Sequence, residues 1–385
     1  MVAAVQGMGR ARLYTDGHFA TADGRARFVA VPYRAAAEPC DARHPFALNT
    51  GRLRDQWHGM SRTGTVARLF GHEGSPVVRM SPDDVARRGL KAGELVEVRS
   101  RRGAIVLPLV GDDRIGRAHA YIAMHWGDEF LSGISTEGER RAGVNALTSK
   151  AYCPDSFQPE LKHAAVAIKP ADLPWRLTAA AWLPDNAVVE VRERLRTAMP
   201  SFAYAACVPV LGHDGRTGVS LQAASARPID KNEIDAIAGW LGLTGPSTLR
   251  YADPVRGTKR LLALEGEGAA ARLGALLLVG EAPAADWLRG LWQEQLEVAP
   301  YGRFLLAPQA NSPQGLAPRS PQVCNCLDVS EQRIRDCLAR LDGEPAVRIA
   351  GLQAALKCGT QCGSCQPDLR RLEHAVPAPR EAVAS

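Results

Sequence analysis

The stretch SPDDVARRGLKAGELVEVRSRRGAIVLPLV, residues 81–110, decides the fold. Ser81 suits a helix N-cap and Pro82 the first helical turn, and Asp83 and Asp84 suit the positive end of a helix dipole. Gly89 offers a stop. After the turn Lys91-Ala92-Gly93-Glu94, ELVEVRS alternates apolar and polar residues with period two, and Arg101-Arg102-Gly103 turns back into AIVLPLV. A short helix followed by a hairpin suits a closed β-barrel with small helical insertions.

The pattern continues on both sides. Val77–Met80, Leu95–Arg99, Ala104–Val110, Ala118–Met124 and Ala164–Ile168 are candidate strands rich in Val and Ile and separated by turns, so residues 46–170 read as the barrel. Upstream, residues 1–45 read as an extended arm with turn signals at Asp16-Gly17 and Asp23-Gly24. Downstream, residues 171–308 read as a small α+β domain. Helices are expected over Asp230–Leu241 and Ala284–Glu297 and strands over Leu261–Leu264 and Ala275–Val279, and the tryptophans at helical spacing read as core. The Pro, Ser, Gly and Gln-rich run 309–321 reads as a linker, 322–375 as a small all-α module, and 376–385 as a disordered tail.

The chain of 385 residues allows two or three domains. A net charge of +6 without basic runs interleaved with aromatics excludes an evident nucleic-acid surface. No run of about 18 apolar residues exists to span a membrane. The N-terminus also lacks an apolar signal-peptide segment, so a cytoplasmic location is expected.

The nine cysteines are unevenly placed: Cys40, Cys153 and Cys207 are scattered, and six fall within 324–365. Such a cluster in a reducing compartment points to ligands rather than disulfides. Ser330 reads as an N-cap, with Ile334, Leu338 and Leu341 on one helix face; a second helix ends at Leu356-Lys357, and Pro367 opens a third. Four thiolates from two loops can enclose a metal, and Gly359 and Gly363 let backbone amides approach the sulfurs. The C-x-C spacing of Cys324 and Cys326 is uncommon for structural zinc. It favours an iron–sulfur site, with zinc and a disulfide as the alternatives.

C-x-C, a helix pair and C-G-T-x-C-G-S-C-x-P-x-L resemble the bacterioferritin-associated-ferredoxin-like 2Fe–2S domain over residues 322–375. The resemblance implies a 2Fe–2S cluster on Cys324, Cys326, Cys362 and Cys365. Cys337 reads as a buried thiol, and Cys358, four residues before Cys362, is the one cysteine able to replace a ligand.

A second segment, LNTGRLRDQWHGMSRTGTVARL at 48–69, clusters Asn49, Thr50, Arg52, Arg54, Gln56, His58 and Arg62, which could bond a polyanionic ligand. On the residues alone, a solvated loop with salt bridges is preferred. The motif nevertheless resembles the C-terminal dinucleotide-binding domain of molybdopterin oxidoreductases, a six-stranded double-psi barrel. Met124-His125-Trp126 after a strand, and Asn145-Ala-Leu-Thr148 leading to Gln158-Pro159-Glu160-Leu161-Lys162, extend the likeness over residues 10–170. It implies that Thr50 to Gly59, with Gly51 and Trp57 among them, cradle a molybdopterin guanine dinucleotide. Trp126, Asn145 and Lys162 would contact pterin or nucleotide edges, with His125 and Glu160 in the same motifs. No catalytic residue is assigned.

The fold class expected is therefore a mainly β double-psi barrel, a small α+β domain and a small all-α 2Fe–2S domain. Together they resemble the assimilatory nitrate reductase branch of the molybdopterin oxidoreductases. The implied role is electron relay toward a molybdenum that reduces nitrate to nitrite, with a docking protein for another enzyme, such as a formate dehydrogenase, as the alternative. No N-terminal 4Fe–4S motif or molybdenum-ligating domain is recognised. The chain is thus expected to be a C-terminal portion, inactive alone, that needs an N-terminal half and a donor such as a flavoprotein or ferredoxin.

Overall fold

The computed structural model describes residues 13–134, 138–160, 162–280, 284–307 and 320–377. Most of the expected linker at 309–321, and the tail from 378, lie outside them.

Residues 13–37 form a unit of their own. Both turn signals act through an aspartate followed by a glycine: Asp16 accepts from the His18 N–H and Asp23 from the Arg25 N–H, each at 3.2 Å. Gly17 and Gly24 both take φ +69°, where a Cβ would be strained. Phe28 and Tyr33 are 98% and 92% exposed.

From Glu38 onward the chain builds the second unit. Its first elements are β1 (Phe46–Gly51), β2 (Val78–Met80), α1 (Pro82–Arg87), β3 (Leu95–Arg99), β4 (Ala104–Gly111), β5 (His119–Ala123), β6 (Leu131–Ile134), β7 (Arg140–Ala142) and β8 (His163–Pro170). Six of these strands close a barrel in the order β1-β5-β2-β4-β3-β8. β1 pairs in parallel with β5, and β2 with β4; the remaining pairs are antiparallel. Inward residues such as Leu48, Val78, Val98, Leu107, Ile122 and Val166 fill the interior. As the sequence implied, the Ser81 hydroxyl caps α1 by accepting from the Asp84 N–H at 3.2 Å, and Gly89 follows the helix with φ +62°. β1 was not foreseen: Asn49 and Thr50 lie in a strand hydrogen-bonded on both sides, not in a solvated loop.

The following segment holds β9 (Trp175–Trp182), α2 (Asp185–Ala198), β10 (Tyr204–Leu211), β11 (Thr217–Ser225), α3 (Lys231–Trp240), β12 (Thr248–Asp253), β13 (Thr258–Glu265), β14 (Arg272–Gly280) and α4 (Ala285–Gln293). The sheet order is β12-β13-β14-β9-β11-β10-β6-β7, so two strands from within the barrel segment complete this sheet. Alternation in β9 sends Leu177, Ala179 and Ala181 under α2 and α3, and Ala180 and Trp182 under α4. Covering both faces with helices explains the unbroken apolar run of β14. Trp182 stacks on Trp292 of α4 with ring centroids 4.2 Å apart, confirming these tryptophans as core.

Two expectations need correction. The segment carries α2 besides the two helices expected. And α4 ends at Gln293, short of Glu297, because Gln295 takes φ +50° and Glu297 bridges to Arg272.

The last described segment contains β15 (Gln322–Cys324), β16 (Val329–Ser330), α5 (Glu331–Leu338), α6 (Pro345–Leu356) and α7 (Gln366–Ala375). Its helices were expected, but it is not all-α: a bulged two-stranded hairpin carries the first two cysteines. Ile334, Leu338, Leu352, Leu369 and Leu372 form its core. Arg348 of α6 is nearly sealed within it, paired with Glu373 at 2.7 Å.

Candidate functional site

The barrel's pairing puts three separated motifs at one end. β1 and β5 are parallel, with Gly51 level with Ala123, so the chain leaves both strands on the same side. β8 runs antiparallel to β1 and begins beside Asn49, which brings Lys162 to that side: its carbonyl accepts from the Thr50 N–H at 3.3 Å. The 3₁₀ turn Val144–Ala146 joins them through Val144, whose N–H bonds the Trp126 carbonyl at 2.9 Å. The motifs quoted around Asn49–Arg62, Met124–Trp126, Asn145 and Lys162 therefore gather around one rim.

Their side chains divide into two groups. The buried ones shape the rim. The buried His125 ring accepts from the Leu53 N–H on Nε2 at 3.0 Å, while Nδ1 donates to the His58 carbonyl, so the Nδ1–H tautomer is the one that fits. Burial pushes its pKa below the ordinary histidine value, keeping the ring neutral. Trp126 packs against Phe70 and Phe130 with centroids at 6.2 Å from each. Gln56 is buried and donates to the Leu69 carbonyl at 3.1 Å. Thr50 is buried, and Glu160 is half-buried with its N–H bonded to the Ala151 carbonyl at 2.8 Å. A Cβ on Gly51 would lie 2.6 Å from the Tyr121 ring.

The second group faces solvent: Asn49, Arg52, Trp57, His58, Arg62, Asn145 and Lys162. The Arg52 guanidinium lies 5.0 Å from the Trp57 ring centroid, and Trp57 is 56% exposed. His58 and Met60 hold positive φ of 45° and 62°, a strained backbone concentrated in this loop. An arginine over an exposed aromatic, with Arg62 and Lys162 exposed in the same motifs, fits the phosphates and purine of a dinucleotide. One buried polar atom at the rim, Gln56 Oε1, has no hydrogen-bond partner among the described residues.

Arg54 stands apart. Its guanidinium leaves the barrel for the cysteine module, donating to Asp368 of α7 at 2.6 Å and to the Val323 carbonyl. Sequence reasoning placed it with the ligand-facing arginines. It placed Asp55 only within the Thr50 to Gly59 cradle and gave no role to Arg68, Gly71, Asn325 or Asp368, which complete this junction. Asp55 accepts from Asn325 at 2.9 Å, Arg68 donates to the Cys326 carbonyl at 3.4 Å, and a Cβ on Gly71 would meet Asn325 Oδ1 at 2.9 Å. Arg54 and Asp55 were at least visible inside the quoted R-D-Q-W-H run.

The cysteines do converge. Cys324 Sγ lies 3.6 Å from Cys326 Sγ, and Cys326 Sγ 3.7 Å from Cys362 Sγ; the Cys365 thiol also contacts Cys324. Two sulfurs on one tetrahedral metal, with bonds of about 2.3 Å, stand about 3.8 Å apart, so each of these spacings suits a pair of thiolates on one metal. The donor set therefore fits the cluster. Gly359 and Gly363 take φ +79° and +73°, and Ser364 Oγ lies 3.2 Å from the Cys362 sulfur. That contact lowers the Cys362 pKa, whereas burial pushes Cys326 up to about 11 and raises Cys365. Cys337 is half-buried and Cys358 fully buried.

Residues 46–165 match the Molydopterin dinucleotide binding domain, and residues 322–372 the BFD-like [2Fe-2S] binding domain. This chain carries both domains. It is 31% identical to a nitrate reductase of Klebsiella oxytoca over 356 residues, which is 91% of this chain and 36% of that protein. It is 39% identical to a nitrate reductase of Synechocystis over 159 residues, 41% of this chain and 21% of that protein. The chain thus spans about a third or less of the length of these relatives. Among solved structures, acetylene hydratase from Pelobacter acetylenicus overlaps 33% of this chain and 18% of that one, at 18% identity and a TM-score of 0.27. That likeness is too slight to carry an argument.

Proposed function

We propose that this chain is the C-terminal, cofactor-holding and electron-relaying portion of a cytoplasmic assimilatory molybdenum nitrate reductase. The observation that carries the reading is the junction of the two domains: the loop of Cys324 and Cys326 is seated on the barrel segment, Arg54 to Arg68, that holds the dinucleotide motif. An electron carrier docked beside the pterin end of a barrel suits transfer between the two. Among the described residues no helix is long and apolar enough to cross a membrane.

On this reading Asn49, Arg52, Trp57, His58, Arg62, Asn145 and Lys162 bind the guanine dinucleotide and its phosphates. Thr50, Gly51, Gln56, His125, Trp126 and Glu160 shape the rim, and Arg54 links the rim to the cluster domain. Cys324, Cys326, Cys362 and Cys365 hold the cluster. When bound, the cluster carries one electron at a time, and the pterin's molybdenum supplies the two-electron oxygen-atom transfer from nitrate. The two separated parallel pairs, β1–β5 and β2–β4, support a double-psi barrel over 46–170, followed by the sheet domain over 171–308 and the cluster domain over 322–375. The molybdenum-ligating domains belong to the length that the relatives have beyond this chain, and a flavoprotein or ferredoxin is the proposed donor.

The test begins with anaerobic expression. About two irons and two sulfides per chain, a rhombic EPR signal after dithionite reduction and guanine nucleotide released by acid support both sites. Co-expression with a polypeptide supplying the missing domains should then give nitrate reduction with a reduced viologen. Turnover of formate instead of nitrate would sink the substrate assignment.

A further inference from the structure

We infer that Arg54 and the two carboxylates it bonds form an electrostatic latch that fixes the cluster loop on the barrel and sets the cluster's reduction potential. This rests on the 2Fe–2S reading of Cys324, Cys326, Cys362 and Cys365.

All three guanidinium nitrogens of Arg54 are engaged. Nε faces Asp55 Oδ2 at 3.2 Å, Nη1 donates to Asp368 Oδ2 at 2.6 Å, and Nη2 donates to the Val323 carbonyl. Asp55 Oδ2 also accepts from Asn325 Nδ2 at 2.9 Å. Val323 and Asn325 flank Cys324, so a single Arg-Asp pair holds the backbone of the residue before one ligand and the side chain of the residue after it. Asp368 lies three residues beyond Cys365 and ties the second ligand loop to the same guanidinium. Arg54 and Asp55 are only 18% and 9% exposed, so their charges act with little solvent screening. A planar fork that satisfies three acceptors in three directions is a task for arginine rather than lysine.

The charges predict opposite effects. One-electron reduction adds a negative charge to a cluster already bearing four thiolates. The Arg54 cation favours that step, and the Asp55 and Asp368 anions oppose it. Arg54 is thus a positioning residue, and its action is electrostatic as well as mechanical.

The experiment uses the full chain with its reconstituted cluster, titrated with dithionite and mediators and followed by EPR. R54Q should lower the midpoint: a tenfold loss in the reduction equilibrium is about 59 mV for one electron. D368N should raise it. R54K should keep most of the potential, yet hydrogen–deuterium exchange at Val323–Cys326 should rise because the fork is lost. If R54Q and D368N leave the potential unchanged, or shift it the same way, the latch is not electrostatic and the inference fails. If R54Q leaves exchange at Val323–Cys326 unchanged, the positioning role fails. Iron and sulfide content, measured on every variant, separates these results from failure of the cluster reading itself, which would appear as a wild-type chain without iron.

Discussion

His125 and Leu53 are joined across the barrel rim: the Leu53 N–H donates to His125 Nε2 at 3.0 Å, and the opposite ring nitrogen donates to the His58 carbonyl. One imidazole thus bridges two points of the strained loop that holds Arg54, Gln56 and Trp57. His125→Ala removes both bonds and leaves a cavity, and it should destabilise the chain by about 3 kcal/mol in denaturant titrations. The sign of the pH effect follows from burial, which lowers the folded pKa below the unfolded value near 6.5. Above about pH 6.5 the ring is neutral in both states and its contribution is complete. As the pH falls below that value, only the unfolded chain takes up a proton, and stability is lost. The variant should show a shallower loss between pH 6.5 and 5 than the parent.

The pair Arg348–Glu373 lies inside the cluster domain, with side chains 5% and 4% exposed. Arg348 also donates to the carbonyls of Leu338, Leu341 and Val376, so it knits α5, α6 and the end of α7 together. Removing one partner strands a buried charge, at a cost of about 3–5 kcal/mol. Glu373→Gln should release the visible chromophore at a lower temperature than the parent, while the thermal transition of the barrel stays in place. A shared shift of both transitions would mean that the domains unfold as one.

Asp112 is held at a pKa of about 2, chiefly by Arg114 and also by Arg79. Its folded pKa lies below the unfolded value, so its stabilisation is present above about pH 4 and is lost as the pH falls from there toward 2. Arg114 is largely exposed, which discounts the gain to about 1 kcal/mol. Asp112→Asn should therefore cost about that much at pH 7 and nothing measurable near pH 2, in urea titrations at the two pH values.

How much of this was legible depended on whether the signal was local. The Ser81 cap, the β3–β4 hairpin and the helices of the cluster domain announce themselves within a few residues, and the sequence reading found them. β9 did not, because Thr-Ala-Ala-Ala has little strand propensity and forms a strand by lying between β11 and β14 under helices on both faces. α2 was hidden for a related reason: Pro184 precedes it without a side-chain cap, and few of its residues are buried. β1 looked like a loop because Asn49 and Thr50 are polar, yet neighbours on both sides hold it extended. At the site, the crowding of six cysteines into 324–365 was legible in the sequence, and the family resemblance singled out four of them as ligands. The junction was not, because Arg54 meets Asp368 and Asp55 meets Asn325 across hundreds of residues, and nothing local marks either side.

Cys358 offers the sharpest check on the ligand set. It is fully buried beside the core of the cluster domain. Cys362, by contrast, is exposed and its sulfur lies 3.7 Å from that of Cys326. On the assignment of Cys324, Cys326, Cys362 and Cys365 as ligands, the two positions should respond oppositely to mutation. Cys358→Ala should keep about two irons per chain and lose about 1 kcal/mol of stability from the missing sulfur. Cys362→Ala should lose the visible spectrum and most of its iron. If Cys358→Ala bleaches the chain and Cys362→Ala does not, the fourth thiolate is Cys358, and the loop between them must refold around the cluster.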